Sequence, residues 1–152
     1  MDLAIGDTGI VELDNPLNKY VTFSHVIDPY VQFTIDVVYM SVKLPYELPS
    51  LRRILLSTDR SIKVPDDSVG ELALRSTWAR LGLLSSRTTA DPGFNGYLTI
   101  EIFNSSLYSI LLRPGDKMLM LYFISGRCGL PIYNGRYQNQ KGVTIAKALK
   151  QD

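Results

Sequence analysis

Cysteine and histidine are nearly absent: the 152 residues include one of each, Cys128 and His25. A lone cysteine forms no internal disulfide, and it suits a reducing compartment. A zinc-activated water needs three His or Cys ligands with a glutamate beside them, so zinc-dependent deamination is excluded by counting. A Ser-His-Asp or Cys-His triad would have to use His25. That residue sits in Thr-Phe-Ser-His-Val-Ile, a strand-like segment where a surface or core histidine is the plainer reading. No Walker-type glycine loop is present, so phosphates would need another cradle. No window approaches the roughly 18 uninterrupted apolar residues of a membrane span. The N-terminus, Met-Asp-Leu-Ala-Ile-Gly-Asp, lacks the basic stretch and apolar run of a secretory signal. The net charge is only +1, so there is no global electrostatic case for nucleic acid or a membrane surface, and any anion site must be built locally. These exclusions leave a cytoplasmic protein whose chemistry runs on carboxylates supported by arginine, with or without a divalent metal.

What is present is β-forming. Hydrophobic residues make up 45% and charged residues 20%, as in a globular protein, and the length fits a single domain over 1–152. There is no repeat, low-complexity tract or linker. Apolar runs are short, β-branched or aromatic, and broken by Pro, Gly, Asn or Asp. Strands are expected over Tyr30 to Val42, Leu51 to Ser57 and Ser61 to Val64. The clearest pair is Tyr97 to Asn104 and Lys117 to Phe123, with Leu107 to Arg113 between them. Asp91-Pro92-Gly93-Phe94 and Arg113-Pro114-Gly115-Asp116 read as type II turns, proline presetting φ at the second position and glycine supplying positive φ at the third. One short helix is expected near Ser76 to Leu81, with Ser76 as its cap. Val143 to Lys150 reads as a short helix or a tail. Many short strands and almost no helix indicate an all-β barrel or sandwich.

Three stretches concentrate polar chemistry. In Tyr97-Leu98-Thr99-Ile100-Glu101-Ile102-Phe103 the period of two puts Leu98, Ile100 and Ile102 on one face and Tyr97, Thr99, Glu101 and Phe103 on the other. Taken alone, that second face is a solvated one, although glutamate is disfavoured in strand interiors. Arg75-Ser76-Thr77-Trp78-Ala79-Arg80 packs two guanidiniums and two hydroxyls into six residues. It is either a solvated amphipathic turn with Trp78 and Leu81 in the core, or a place where donors converge on an anion. Asp91 is either a turn residue accepting its own backbone N–H or an exposed carboxylate with work to do.

Taken in order, VPDDSVGELALRSTWARLGLL, DPGFNGYLTIEIFN, LRPGDKMLMLYF and PIYNGRYQNQKGVT resemble the dCTP deaminase family within the dUTP diphosphatase superfamily. The shared patterns are Arg-Ser-Ser-x-x-Arg-x-Gly, Asp-Pro-Gly-aromatic-x-Gly before a strand with Glu, a Pro-Gly turn before the last core strand, and a closing Tyr-x-Gly-Lys-Tyr-Gln-x-Gln-x-Gly. The likeness runs over residues 53–143 with the right order and spacing.

The resemblance implies that Glu101 is the general base that activates water, with no metal in the attack. Arg75, Ser76 and Thr77 would hold phosphate or the catalytic water, and Arg80 would support water and base. Asp91 would meet the deoxyribose 3′-hydroxyl and, in diphosphatases, activate the water that attacks the α-phosphate. Phe94 would lie under the sugar, although a phenylalanine there is equally a core residue. Thr99 joins the substrate-binding set. Tyr133, Arg136 and Gln140 would close over the triphosphate from a tail, 131–152, that is mobile when free. Arg136 stands where the family has lysine and keeps the charge with a planar fork, and Thr77 stands for serine.

Two departures accompany the match. The family's leading helix and strand have no counterpart before Asp2-Leu3-Ala4-Ile5-Gly6, Ala4 replaces an arginine, and Leu13 to Tyr46 matches only as generic strand. Arg80 and Asp91 are only 11 positions apart, a short form of the loop that shapes the base pocket, and Ser85, Ser86 and Arg87 fill it with polar groups.

The expected molecule is a distorted, jelly-roll-like β-barrel. The resemblance makes it a homotrimer with sites at subunit interfaces, taking magnesium through the nucleotide's phosphates and using no zinc and no protein metal ligands. Its expected reaction is hydrolysis of dCTP to dUTP and ammonia, with or without dUTP diphosphatase activity on the same scaffold. The alternatives are a dedicated dUTP diphosphatase, a nucleotide-binding homologue without catalysis, and a structural sandwich without a ligand.

Overall fold

The structure, a computed structural model, describes residues 1–12, 39–126 and 131–145. His25, Cys128, most of the strand expected over Tyr30 to Val42 and everything beyond Ile145 lie outside the described residues. Twelve strands and one helix are described: β1 (Asp2–Glu12), β2 (Tyr39–Lys43), β3 (Tyr46–Leu48), β4 (Arg53–Thr58), β5 (Ile62–Lys63), β6 (Ser68–Leu74), α1 (Ser76–Arg80), β7 (Leu83–Ser85), β8 (Thr88–Ala90), β9 (Asn95–Gly96), β10 (Thr99–Asn104), β11 (Ile110–Leu112) and β12 (Lys117–Ser125). No helix among the described residues is long and apolar enough to cross a membrane.

One antiparallel sheet dominates, ordered β7-β10-β4-β1-β12-β6-β8, with β2 also on β1; β3 pairs with β11 and β5 with β9. The shape follows from β1, which changes neighbours partway along. Its start pairs with β12, Leu3 opposite Leu119. Its end lies between β4 and β2, Val11 facing Ile54 on one edge and Met40 on the other. Register shifts fall between Leu3 and Ala4 and between Ile5 and Gly9. Such irregularities bend and twist a strand, so the sheet curls into the distorted half-barrel that the short-strand pattern leads one to expect. Leu3, Ile5, Leu48, Ile54, Leu56, Leu83, Ile100, Ile102, Leu112, Met118, Leu119 and Leu121 are its fully buried centre, each side chain contributing roughly 1.5–3 kcal/mol by leaving water.

Both Pro-Gly turns close as their sequences require. Phe94 N–H donates to the Asp91 carbonyl at 3.0 Å and Asp116 N–H to the Arg113 carbonyl at 3.2 Å. Gly93 has φ +74°, a value that L side chains rarely adopt.

Other expectations are corrected. Strands β10 and β12, the clearest in the sequence, are not partners: β10 lies between β4 and β7, and β12 between β1 and β6. Ser76 does not cap the helix. Arg75 is the N-cap, extended at φ −68° and ψ 141°, and no side chain caps the first turn, because the chain arrives from β6 with Arg75 N–H still donating to Met118 O at 2.8 Å. Leu81 is exposed and only Trp78 packs against the core. Of the segment expected as a short helix or a tail, only residues 143–145 are described, and they are not helical.

Candidate active site

Strand β10 alternates as its sequence requires: Ile100, Ile102 and Asn104 are buried, while Thr99, Glu101 and Phe103 are partly exposed on the other face. Glu101 is not on a free edge. Its backbone lies opposite Leu55 of β4, and β7 runs along the other side of β10. Pairing of Ser85 with Ile102 brings the next residue, Ser86, opposite Glu101, and the Ser86 hydroxyl donates to Glu101 Oε2. Arg87, one residue on, pairs with Glu71 of β6. Thr88 then joins β8 on the ladder of β6, opposite Leu72.

The C-terminal segment lies on the same strand face. Gln140 Nε2 donates to the Tyr97 carbonyl and reaches Thr99 Oγ1 at 3.5 Å. Thr144 N–H donates to Thr99 Oγ1 at 3.0 Å. Thr99 stands two residues before Glu101, so the tail covers the neighbouring position of the same face. Gln140 Oε1 is buried without a hydrogen-bond partner. The tail approaches closely enough that Gly96, at φ +151°, would place a Cβ 3.0 Å from Gln140 N; a side chain there would displace the segment. Gln138 fastens the approach. Its Nε2 donates to Gly93 O at 2.9 Å, and its Oε1 accepts from Asn95 N–H at 2.8 Å.

The Asp91 turn is packed beneath this segment. Asp91 itself is exposed. Phe94 is buried in the core, and its ring meets Tyr133 with centroids 5.9 Å apart at 55°. Tyr133 N–H donates to Pro92 O at 2.8 Å, and the Tyr133 hydroxyl accepts from Tyr137 N–H at 3.1 Å. Arg136 is exposed.

The α1 group stands elsewhere on the chain. Ser76, Thr77 and Arg80 are exposed, and Arg75 Nη1 pairs with Asp2 Oδ2 of β1 at 2.9 Å, both side chains more than a third exposed. Trp78 Nε1 donates to Lys117 O at 3.1 Å and holds the turn against β12.

The chain thus brings together Thr99, Glu101 and Gln140 on one face, with Phe94 and Tyr133 beside the Asp91 turn. Among the described residues, no hydrogen bond or ion pair joins Arg75, Ser76, Thr77 or Arg80 to Glu101. Ser86, Gln138 and Thr144 take part without having been singled out. Ser86 had a signal, its place in the short polar loop; the other two had none outside the family's closing segment. A carboxylate on a strand laddered to β4, partly open to water and gripped through one oxygen, can take a proton from water and return it. Among the described residues, no three His, Cys, Asp or Glu side chains stand together as a metal site, so those residues do not fit a protein-held ion.

A family model described as dCTP deaminase-like matches residues 21–126. The protein named dCTP deaminase from Pyrobaculum neutrophilum is 44% identical over 103 residues, covering 68% of this chain and 58% of its own length. A protein of Sulfolobus islandicus rod-shaped virus 1, named "Probable deoxyuridine 5'-triphosphate nucleotidohydrolase", is 46% identical over 97 residues, covering 62% of this chain and 60% of its own. The chain therefore spans about three-fifths of the length of these relatives. The crystal structure of 2'-deoxycytidine 5'-triphosphate deaminase from Agrobacterium tumefaciens superposes with TM-score 0.61 at 17% identity, over 83% of this chain and 39% of that one; the likeness is one of fold.

Proposed function

The chain belongs to the dCTP deaminase-like family, and we propose that within it the protein hydrolyses deoxynucleoside triphosphates, chiefly by deaminating dCTP to dUTP and ammonia. The observation that carries this is Glu101, half-exposed on β10 within the residues that the family model matches, with one carboxylate oxygen gripped and the other available.

The chemistry runs through that carboxylate. Glu101 takes a proton from water, and the resulting hydroxide adds to the ring carbon that bears the amino group, the C=N π pair moving onto the ring nitrogen. The glutamate then gives the proton to the amine. The ring nitrogen's pair re-forms the C=N bond as the exocyclic carbon–nitrogen bond breaks, ammonia leaves, and the hydroxyl proton shifts to the ring nitrogen to give the uracil base. Thr99, Gln140 and Thr144 border the base and sugar end of the face, with Phe94 beneath Tyr133 as the apolar floor. Arg136 supplies charge to the phosphates from the tail, and Arg75, Ser76, Thr77 and Arg80 bind phosphate and orient the water. Magnesium bound to the nucleotide's phosphates would supply shielding of their charge, with Arg136 and the α1 cations meeting the remainder. A cytoplasmic setting, with its nucleotide pool, fits this chemistry.

The α1 cations and Glu101 meet by assembly of a homotrimer, in which one protomer's α1 faces the next protomer's β10. Supporting this is the apolar run Tyr122, Phe123 and Ile124, all exposed, where β12 has passed the reach of β1; patches of this kind mark association surfaces.

A second activity, release of pyrophosphate from dUTP, is favoured by the exposed Asp91 and by the name of the viral relative. One experiment separates the two. The protein is incubated with dCTP and with dUTP, ammonia and pyrophosphate are measured in parallel, and the oligomer is sized by sedimentation. Ammonia from dCTP by a trimer is expected. Pyrophosphate alone, and only from dUTP, would replace deamination by the diphosphatase activity, and an active monomer would remove the shared site.

A further inference from the structure

We propose that Ser86 is a positioning residue for the deamination, holding Glu101 so that one carboxylate oxygen is reserved for the proton of the attacking water. The inference rests on the role given above to Glu101 and adds a residue to it.

The placement comes from register. Ser85 lies opposite Ile102, so a step back along β10 and forward along the loop puts Ser86 opposite Glu101. Cross-strand neighbours have Cβ atoms close enough for a short side chain to reach a long one. Serine has one donor proton, and here it is spent on Glu101 Oε2. The loop is fixed at both ends: Ser85 is on the ladder of β10, while Arg87 is paired with Glu71 and Thr88 is on the ladder of β6. Ser86 and Arg87 are the whole connection between β7 and β8. The shortness of the stretch between Arg80 and Asp91 is what brings a hydroxyl to this point.

The consequence is chemical. A half-exposed glutamate has several rotamers open to it, and a base must lie within hydrogen-bond reach of the proton that it takes. The Ser86 bond selects one rotamer and leaves Oε1 for water. It also survives the reaction: once Oε1 carries the proton, Oε2 still accepts from Ser86. No proton passes through the serine, which keeps its own throughout.

Steady-state kinetics of the full chain on dCTP, with ammonia read directly, test this. Ser86→Ala is expected to lower kcat on the order of 10- to 100-fold, the effect of misplacing a reacting group, with KM within about twofold because ground-state binding is unchanged. Ser86→Thr keeps the donor and should restore kcat to within about threefold of the parent. Unfolding midpoints of both variants should match the parent, since Ser86 is exposed. Wild-type kcat in Ser86→Ala overturns the proposal. So does a threonine variant as slow as the alanine one, or a rise in KM with kcat intact. If Ser86→Ala is unimpaired while Glu101→Gln is inactive, only the serine's role falls. If Glu101→Gln deaminates like the parent, or the parent releases no ammonia, the base assignment falls and the serine's role with it.

Discussion

Strand β10 and helix α1 both carry residues proposed above to act on the nucleotide, but the fold treats them differently. Glu101 sits on a strand laddered to β4 at its own position and to β7 from the next residue on, with a serine on its carboxylate and the tail across its neighbour. The α1 group sits on five residues with no side-chain cap, three of its polar side chains exposed and Arg75 turned to an exposed aspartate. A base must be placed to within a fraction of an ångström. Phosphate charge can be met by long cationic side chains that reach for it. The group proposed as the base stands on a laddered strand, and the groups proposed to meet phosphate stand on a short helix with exposed polar side chains.

That contrast is broken most forcefully at Glu101. Glu101→Gln keeps the side chain's volume and hydrogen-bonding shape but cannot take a proton. Ammonia release from dCTP should fall by at least the roughly 10²–10⁴-fold that general acid–base catalysis supplies. Nucleotide affinity should stay near the parent's, and any pyrophosphate release from dUTP should persist, because that would run through Asp91. Deamination by the variant at the parent's rate would show β10 to be scaffold only.

A smaller loss is expected from ending the chain after Leu130. The truncation removes Arg136 and the Gln140 and Thr144 contacts to Thr99. Charge-assisted hydrogen bonds contribute about 1.5–3 kcal/mol, so KM for dCTP should rise on the order of 10- to 100-fold while the far-ultraviolet circular dichroism of the barrel is retained. Unchanged kinetics would make the tail a surface covering with no part in binding.

The smallest effect belongs to α1. Arg75→Ala breaks a pair exposed at both ends, so stability in urea should change by less than about 1 kcal/mol. Affinity for dCTP should nevertheless fall, and fall less at high salt. Asp2→Asn breaks the same pair but leaves the guanidinium, so affinity should hold. Equal losses in the two variants would mean that Arg75 braces β1 and does not bind substrate.

How much of this was legible varied with distance along the chain. Both Pro-Gly turns, the alternation of β10 and the position of α1 rest on residues within a few positions of one another, and they formed as their sequences demand. Strand β1 was not picked out, because Ala4, Gly6 and Gly9 dilute its apolar pattern and its partners change midway. The partner of Glu101 was hidden for a related reason: Ser86 reaches it through a register that spans 15 positions. Asn104 shows the same limit. It read as the end of a strand, yet it is fully buried, and its Nδ2 donates to the carbonyls of Leu48, Pro49 and Tyr108. It ties the start of the Arg53–Thr58 approach to the loop after β10. Nothing in the neighbouring residues announces such a tie, since its acceptors are backbone atoms from distant segments.

The changeover in β1 has a consequence for the order of assembly. Strands β4 and β10 can zip early, being separated by a few dozen positions, and β6 and β12 likewise. The two halves share β1, whose Leu3 must find Leu119 and whose Val11 must find Ile54. The curl therefore closes only when a strand from the beginning of the chain captures one made more than a hundred positions later. Closing so long a loop slows folding and leaves strand edges unpaired in the interval. A nascent chain emerging from the ribosome would carry an incomplete sheet until β12 is clear, so chaperone demand should peak late in synthesis, and slow refolding from denaturant should be governed by docking of β12 onto β1.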